Sequence, residues 1–143
     1  ETILNVARRL NMYIPTMCYL EKTTPSASCR LCVVEVKGLD GAILSCQTKP
    51  TEGIEVVLNS DNLQNNRENI MRLYDVNHPL ECGVCDKSGA CDLQNKTLEL
   101  NVDKQLFSAK DQSRKIEQWG LINYDHNLCI MCEKCTHTCN EII

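Results

Sequence analysis

Phenylalanine and tryptophan are nearly missing: one of each in 143 residues, beside four tyrosines, leaves little with which to fill a core. A chain of this length could be one domain or two to three small modules, and the modules require some support other than apolar packing. Long apolar runs are missing too. The longest are a few residues, well short of the roughly 20 needed to cross a bilayer, and no apolar leader opens the chain. An excess of positive charge is also absent: 15 Lys and Arg against 19 Asp and Glu give −4. No basic face is on offer for nucleic acid or anionic lipid, so protein surfaces are the expected partners. No 20- to 50-residue repeat and no low-complexity segment is visible.

What is present in excess is cysteine, with eleven. In a secreted protein that count reads as disulfides, but eleven is odd and several cysteines sit in tight C-x2-C pairs. Metal thiolates in a reducing compartment fit better. The chain opens at Glu1 without a methionine and stops at Ile143 just after a dense cysteine run, so a fragment of something larger is expected.

Thr2 caps a short amphipathic helix carrying Ile3, Leu4, Val6, Ala7 and Leu10, which leads to Cys18. Leu31 to Lys37, a turn at Gly38 to Gly41, and Ala42 to Cys46 read as a hairpin, and Ile54 to Leu58 as a further strand. Asn59 or Ser60 caps a helix with Leu63, Ile70, Leu73 and Tyr74 that ends near Asn77, because His78 precedes Pro79. Gly89 to Leu100 reads as a short helix. Asp103 to Gly120 reads as irregular or linking, with Lys110 to Glu117 a solvated charged face and Trp119 a packing or interface residue. The expected partition is 1–58, 59–101, a linker at 102–122, and 123–143.

Three constellations carry chemistry. Cys18, Cys29, Cys32 and Cys46 form C-x10-C-x2-C-x13-C, with three thiols on one loop and the fourth on the strand after the hairpin turn. Plant-type 2Fe-2S ferredoxins share the inner pair and the remote fourth cysteine. Ser26, Ala27 and Ser28 are small enough for backbone N–H groups to approach the sulfurs, and such bonds favour the reduced cluster. Four-cysteine zinc is the alternative, although zinc usually pairs two short knuckles. His78, Cys82, Cys85 and Cys91 form H-x3-C-x2-C-x5-C, enough ligands for a 4Fe-4S cubane or for zinc. A neutral histidine in place of a thiolate raises the potential of such a cluster. Cys129, Cys132, Cys135 and Cys139 form C-x2-C-x2-C-x3-C, a 4Fe-4S pattern in which the first three serve one cube and the fourth another. The remaining ligands of both are expected beyond Ile143. His126 and His137 read as surface residues, and no acid/base or nucleophilic constellation remains once the cysteines are assigned to metal.

In order, IPTMCYLEKTTPSASCRLCVVEV, HPLECGVCDKSGACDLQ and CIMCEKCTHTC closely resemble the N-terminal iron-sulfur region of the G-type subunit of NADH:quinone oxidoreductase, respiratory complex I. Iron-only hydrogenases, diaphorase subunits of NAD-reducing hydrogenases and some NAD-dependent formate dehydrogenases carry a similar series. The resemblance spans nearly the whole chain. It implies an α+β fold: a β-grasp 2Fe-2S ferredoxin-like domain whose first hairpin lies before Glu1, a small helical 4Fe-4S module, and the start of a bacterial-type 4Fe-4S ferredoxin domain. It implies 2Fe-2S on Cys18, Cys29, Cys32 and Cys46, and 4Fe-4S on His78, Cys82, Cys85 and Cys91. It also implies electrons passing from NADH, through a flavin-bearing NADH-oxidising subunit among other peripheral-arm subunits, toward quinone. This segment would hold no substrate site, and would be cytoplasmic, attached to the inner membrane through the complex without inserting in it. Two features depart from the pattern. Many complex I members lack a cysteine at Cys139, which hydrogenases and some bacterial branches retain, and Asn140 stands where proline usually follows. An electron-relay region of a hydrogenase or formate dehydrogenase is therefore the alternative reading, and a zinc-stabilised interaction scaffold is a third.

Overall fold

The computed structural model describes residues 1–104, 106 and 115–143. Its elements are α1 (Ile3–Arg9), β1 (Val33–Val36), β2 (Ala42–Leu44), β3 (Val56–Val57), α2 (Asp61–Asn77), a 3-10 turn (Cys82–Val84), α3 (Asp92–Glu99), β4 (Glu117–Trp119), β5 (Ile122–Tyr124) and α4 (Lys134–Glu141). They fall into two compact units, Glu1–Arg67 with Met131–Ile143, and Glu68–Ile130.

In the first unit, β1 is the central strand of an antiparallel sheet ordered β2-β1-β3, with Val34 opposite Ile43 and Val36 opposite Val56. β-branched residues at Val33, Val34 and Val36 are buried, whereas Glu35 keeps its carboxylate accessible to accept from Asn62 Nδ2 at 2.7 Å. The core packs Ile3, Leu4 and Ala7 of α1 on Ile14, Val34, Cys32 and Cys46. Two candidate ligands thus belong to the core itself.

α1 is only seven residues long, too short to persist without tertiary support. Thr2 caps it by accepting from the Asn5 N–H at 3.3 Å. Its otherwise orphaned first N–H groups donate to the 45–48 turn, Ile3 to the Thr48 carbonyl at 2.8 Å and Leu4 to the Ser45 carbonyl at 3.0 Å. The helix therefore clamps the turn that carries Cys46. This turn follows β2, so Cys46 sits past the strand end rather than on the strand. The Ser45 N–H and hydroxyl both donate to the Cys32 carbonyl, at 3.1 and 2.7 Å.

α2 starts where the Ser60 hydroxyl accepts from the Leu63 N–H at 3.1 Å, and stops before the proline-restricted His78. Buried Arg67 donates to the Val33 carbonyl at 2.7 Å and the Leu58 carbonyl at 3.0 Å, tying the helix start to the sheet. In the second unit, α3 starts at Asp92, later than the expected Gly89, because Gly89 adopts a left-handed turn (φ 80°) and donates to the Gln94 side chain at 2.9 Å. Leu93, Leu100 and Met71 are buried there.

The stretch expected to be irregular up to Gly120 contains β4, which pairs antiparallel with β5, Trp119 facing Ile122. Gly120 (φ 63°) supplies the left-handed residue of the two-residue turn, and Trp119 stacks on Tyr124 with centroids 4.9 Å apart. Lys110 to Arg114 of the expected charged face lie outside the described residues.

Candidate metal centres

Cys18, Cys29, Cys32 and Cys46 are all buried, and all eleven cysteines are free thiols. The loop that brings the first three together contains two non-glycine residues in the left-handed region, Ala27 (φ 58°) and Arg30 (φ 58°), an uncommon conformation that the packing around the loop must sustain. The four sulfurs form two hydrogen-bonded pairs. In the first, the Cys29 thiol donates to Cys18 and pulls it down to about 4, assisted by the Cys29 N–H and the Ser26 and Ser28 hydroxyls against the opposing effect of burial. Cys29 is pushed up by giving that bond, then by burial. In the second, Cys46 donates to Cys32, which falls to about 6, while Cys46 itself is pushed up. Each of Cys18, Cys29 and Cys32 also raises Cys46 through its charge, so all four lie within electrostatic reach of one another.

Two pairs of thiols suit a centre with two irons, each taking one pair; metal binding then requires the remaining thiol protons to leave. The chemistry of this donor set fits a 2Fe-2S group. Among the described residues no three His, Cys, Asp or Glu side chains converge on one ion-sized point. Besides the backbone N–H groups expected to reach the sulfurs here, the Ser26 and Ser28 hydroxyls help lower Cys18.

His78, Cys82, Cys85 and Cys91 lie in the second unit on tight turns between α2 and α3, each half-buried. The 3-10 turn puts Cys82 and Cys85 on one loop, the Cys85 N–H donating to the Cys82 carbonyl at 3.4 Å, and Cys91 occupies the N-cap of α3. Burial holds the His78 imidazole below its usual range, with Asp75 pulling the other way. At neutral pH the ring is uncharged, the form that can ligate metal. One neutral imidazole and three accessible thiols fit a cubane as a donor set.

The third constellation is divided. Cys129 belongs to the second unit and Cys132, Cys135 and Cys139 to the first. Cys135 and Cys139 lie four residues apart on α4, sharing a face of the helix, and both are exposed. Met131 (φ 50°) and Glu133 (φ 61°) turn the backbone on either side of Cys132. Glu141 of α4 accepts from the Thr24 N–H at 2.7 Å, and the Ser26 hydroxyl lies 3.5 Å from the Cys132 carbonyl. Ser26 therefore touches both the Cys18 sulfur and the backbone of Cys132. His126 and His137, expected on the surface, are partly covered: His126 pairs with Glu117 at 3.1 Å and His137 with Glu141.

No described helix is long and apolar enough to cross a membrane. Residues 1–61 match the 2Fe-2S iron-sulfur cluster binding domain, and residues 67–105 match the NADH-ubiquinone oxidoreductase-G iron-sulfur binding region. The chain is 46% identical over 143 residues to the NADPH-Fe(3+) oxidoreductase subunit alpha of Geobacter sulfurreducens, covering 99% of this chain and 17% of that protein. It is 34% identical over 150 residues to the G 2 subunit of the NADH-quinone oxidoreductase of Rhizobium meliloti, covering 100% of this chain and 17% of that one. A chain in the crystal structure of NAD+-reducing [NiFe]-hydrogenase in the H2-reduced state matches with TM-score 0.89 at 30% identity, over 96% of this chain and 58% of that chain. The chain thus spans about a sixth of the length of these two curated relatives. The chain mixes helix and strand and carries 2Fe-2S and 4Fe-4S binding regions, and it is homologous to subunits of multi-subunit redox complexes.

Proposed function

We propose, from a chain that carries the iron-sulfur region shared by G-type subunits of NADH-quinone oxidoreductase and related hydrogenase subunits, that it relays electrons delivered from NADH through a partner's flavin toward quinone. The observation that carries this reading is the buried four-thiol nest at Cys18, Cys29, Cys32 and Cys46, joined by Ser26 to the backbone of Cys132. Bound clusters supply one-electron redox chemistry.

The residues' own work is to ligate, desolvate and space. Cys18, Cys29, Cys32 and Cys46 hold the 2Fe-2S group in a β-grasp unit, and His78, Cys82, Cys85 and Cys91 hold a 4Fe-4S group. Cys129, Cys132 and Cys135 serve a further 4Fe-4S group, and Cys139 another, each completed by ligands from elsewhere in the full protein, as at the start of a bacterial-type ferredoxin domain. In module terms, 1–58 and 59–101 each hold one complete site and 123–143 the incomplete pair. The core that embeds Cys32 and Cys46 keeps water from the first site, while the Thr24–Glu141 and Ser26–Cys132 contacts hold the third motif against the first loop. Attachment to a membrane is through the assembled complex.

A second reading keeps the relay and changes its terminus. The 46% identity to an NADPH-Fe(3+) oxidoreductase subunit, against 34% to the quinone-linked one, and the presence of Cys139 favour a non-quinone acceptor or a hydrogenase-type partner. Rapid freeze-quench EPR of the full complex decides between them. Mixing with NADH should reduce the 2Fe-2S group and bring up its EPR signal within one turnover, and added quinone should reoxidise the group and remove the signal. Reduction without reoxidation by quinone supports the second reading, and no reduction by NADH or, in a parallel mix, by NADPH overturns both.

A further inference from the structure

Ten residues separate Cys18 from Cys29, and among the described residues the one backbone–backbone hydrogen bond made within that stretch runs from the Thr23 N–H to the Leu20 carbonyl at 3.2 Å. Ala27, inside it, holds a left-handed φ of 58°, so the shape of the loop has to be imposed from outside. Three consecutive residues provide the anchorage. The Thr24 N–H donates to Glu141 Oε2 of α4 at 2.7 Å, the Pro25 carbonyl accepts from Gln47 Nε2 at 3.2 Å, and the Ser26 hydroxyl lies 3.5 Å from the Cys132 carbonyl. The contact with Glu141 is the shortest of the three and the one with an ionised acceptor, which makes it the strongest. Its position is otherwise unfavourable: Glu141 is the last residue of α4, where the helix dipole favours a cation, and the last turn holds no basic residue. The other carboxylate oxygen bonds His137 Nδ1, one turn back in the same helix, which fixes the direction of the carboxylate toward Thr24.

We infer that Glu141 is a positioning residue for the first centre: from the end of the helix that bears Cys135 and Cys139 it clamps the Thr24 amide, and so keeps the Cys18–Cys29 loop in the shape that presents its thiols. The inference rests on the reading of Cys18, Cys29, Cys32 and Cys46 as 2Fe-2S ligands. Thr24 stands three residues before Ala27 and five before Cys29. With Thr24 released, Ala27 is free to return to the backbone regions that non-glycine residues prefer, and Cys29 moves with it. Glu141 touches none of the four thiols and acts through the loop. The clamp joins residues 117 apart in sequence, so the seating of α4 and the geometry of the first centre are set together.

The test uses the full-length protein purified anaerobically with its clusters, and reads amide hydrogen exchange over residues 19–28 by mass spectrometry together with the EPR spectrum of the reduced 2Fe-2S group. Glu141→Ala should speed exchange over 19–28 by about fivefold, the equivalent of one net hydrogen bond, leave exchange in β1 as in wild type, and shift or broaden the g-values of the 2Fe-2S signal. Glu141→Gln, which keeps an oxygen within reach of the Thr24 N–H, should stay close to wild type in both. Unchanged exchange in Glu141→Ala, a glutamine variant as fast as the alanine one, or faster exchange with an unaltered 2Fe-2S spectrum overturns the role of Glu141. Should Glu141→Ala speed exchange in β1 as well, Glu141→Asp decides, with the charge kept and the reach shortened by one methylene: faster exchange confined to 19–28 with an altered spectrum supports the inference, and any other result overturns it. Absence of a 2Fe-2S signal in wild type overturns the ligand reading of the four thiols instead.

Discussion

Removing the two serine hydroxyls that face Cys18, by Ser26→Ala with Ser28→Ala, should lower the potential of the 2Fe-2S group. Both hydroxyls stabilise negative charge on the Cys18 sulfur, and their oxygens lie 3.1 Å apart, so they act as a pair on one ligand. A hydrogen bond contributes about 1 kcal/mol net. The added electron increases the negative charge on the sulfurs, so each bond strengthens on reduction; if about half of its worth discriminates between the two states, two bonds give about 1 kcal/mol. At 59 mV per tenfold, or about 1.4 kcal/mol, this is a downward shift of roughly 40 mV. The assay is an EPR-monitored redox titration of the double variant against wild type, with iron content measured on the same samples. The histidine-bearing 4Fe-4S group serves as internal reference and should not move. A 2Fe-2S potential that is unchanged or higher, with iron retained, would refute the reasoning.

Other consequences follow from the same geometry. Leu4→Ala removes a fully buried side chain from the core that embeds Cys32 and Cys46, and should cost about 2–5 kcal/mol in denaturant unfolding, with loss of 2Fe-2S absorbance tracking the transition; a cost below about 1 kcal/mol would contradict the packing described. His78→Cys should preserve a 4Fe-4S group while lowering its potential, because a thiolate brings a negative charge where the imidazole brought none, and an unchanged potential would remove His78 from the ligand set. Glu117 is held below the usual carboxylate range by its bond to His126 and then by the Trp119 indole N–H. A carboxyl depressed in the folded state contributes stability above its ordinary value near 4.5, and that contribution is lost as pH falls through the lowered folded value. The single tryptophan should report it: Trp119 emission should stay constant down to about pH 5 and change on further acidification, and Glu117→Gln should abolish the change.

Much of the scaffold was legible because local signals and tertiary contacts agree. Thr2 and Ser60 start the two helices that their side chains cap, Pro79 ends the second, and the glycines at 38 and 41 turn the hairpin that precedes Cys46. The β4-β5 hairpin was missed because Glu117, Gln118 and Trp119 offer no apolar alternation. The pair is held by its backbone ladder and by Trp119 stacking on Tyr124, and Gly120 after a tryptophan was the available signal. Cysteine spacing exposed the three constellations but not the pairing of Cys18 with Cys29 and Cys32 with Cys46, since a loop of ten residues between cysteines can close in many ways. Asp75 was illegible for another reason. On a helix face it reads as an ordinary surface acid until α3 covers it.

We propose that these thiols and His78 hold iron-sulfur groups that carry electrons. Mössbauer and EPR spectra of the anaerobically isolated, iron-57-enriched full protein, recorded before and after dithionite, test it most directly. A reducible 2Fe-2S component together with 4Fe-4S components and acid-labile sulfide in proportion is expected. Stoichiometric zinc with no iron and no visible absorption would contradict it.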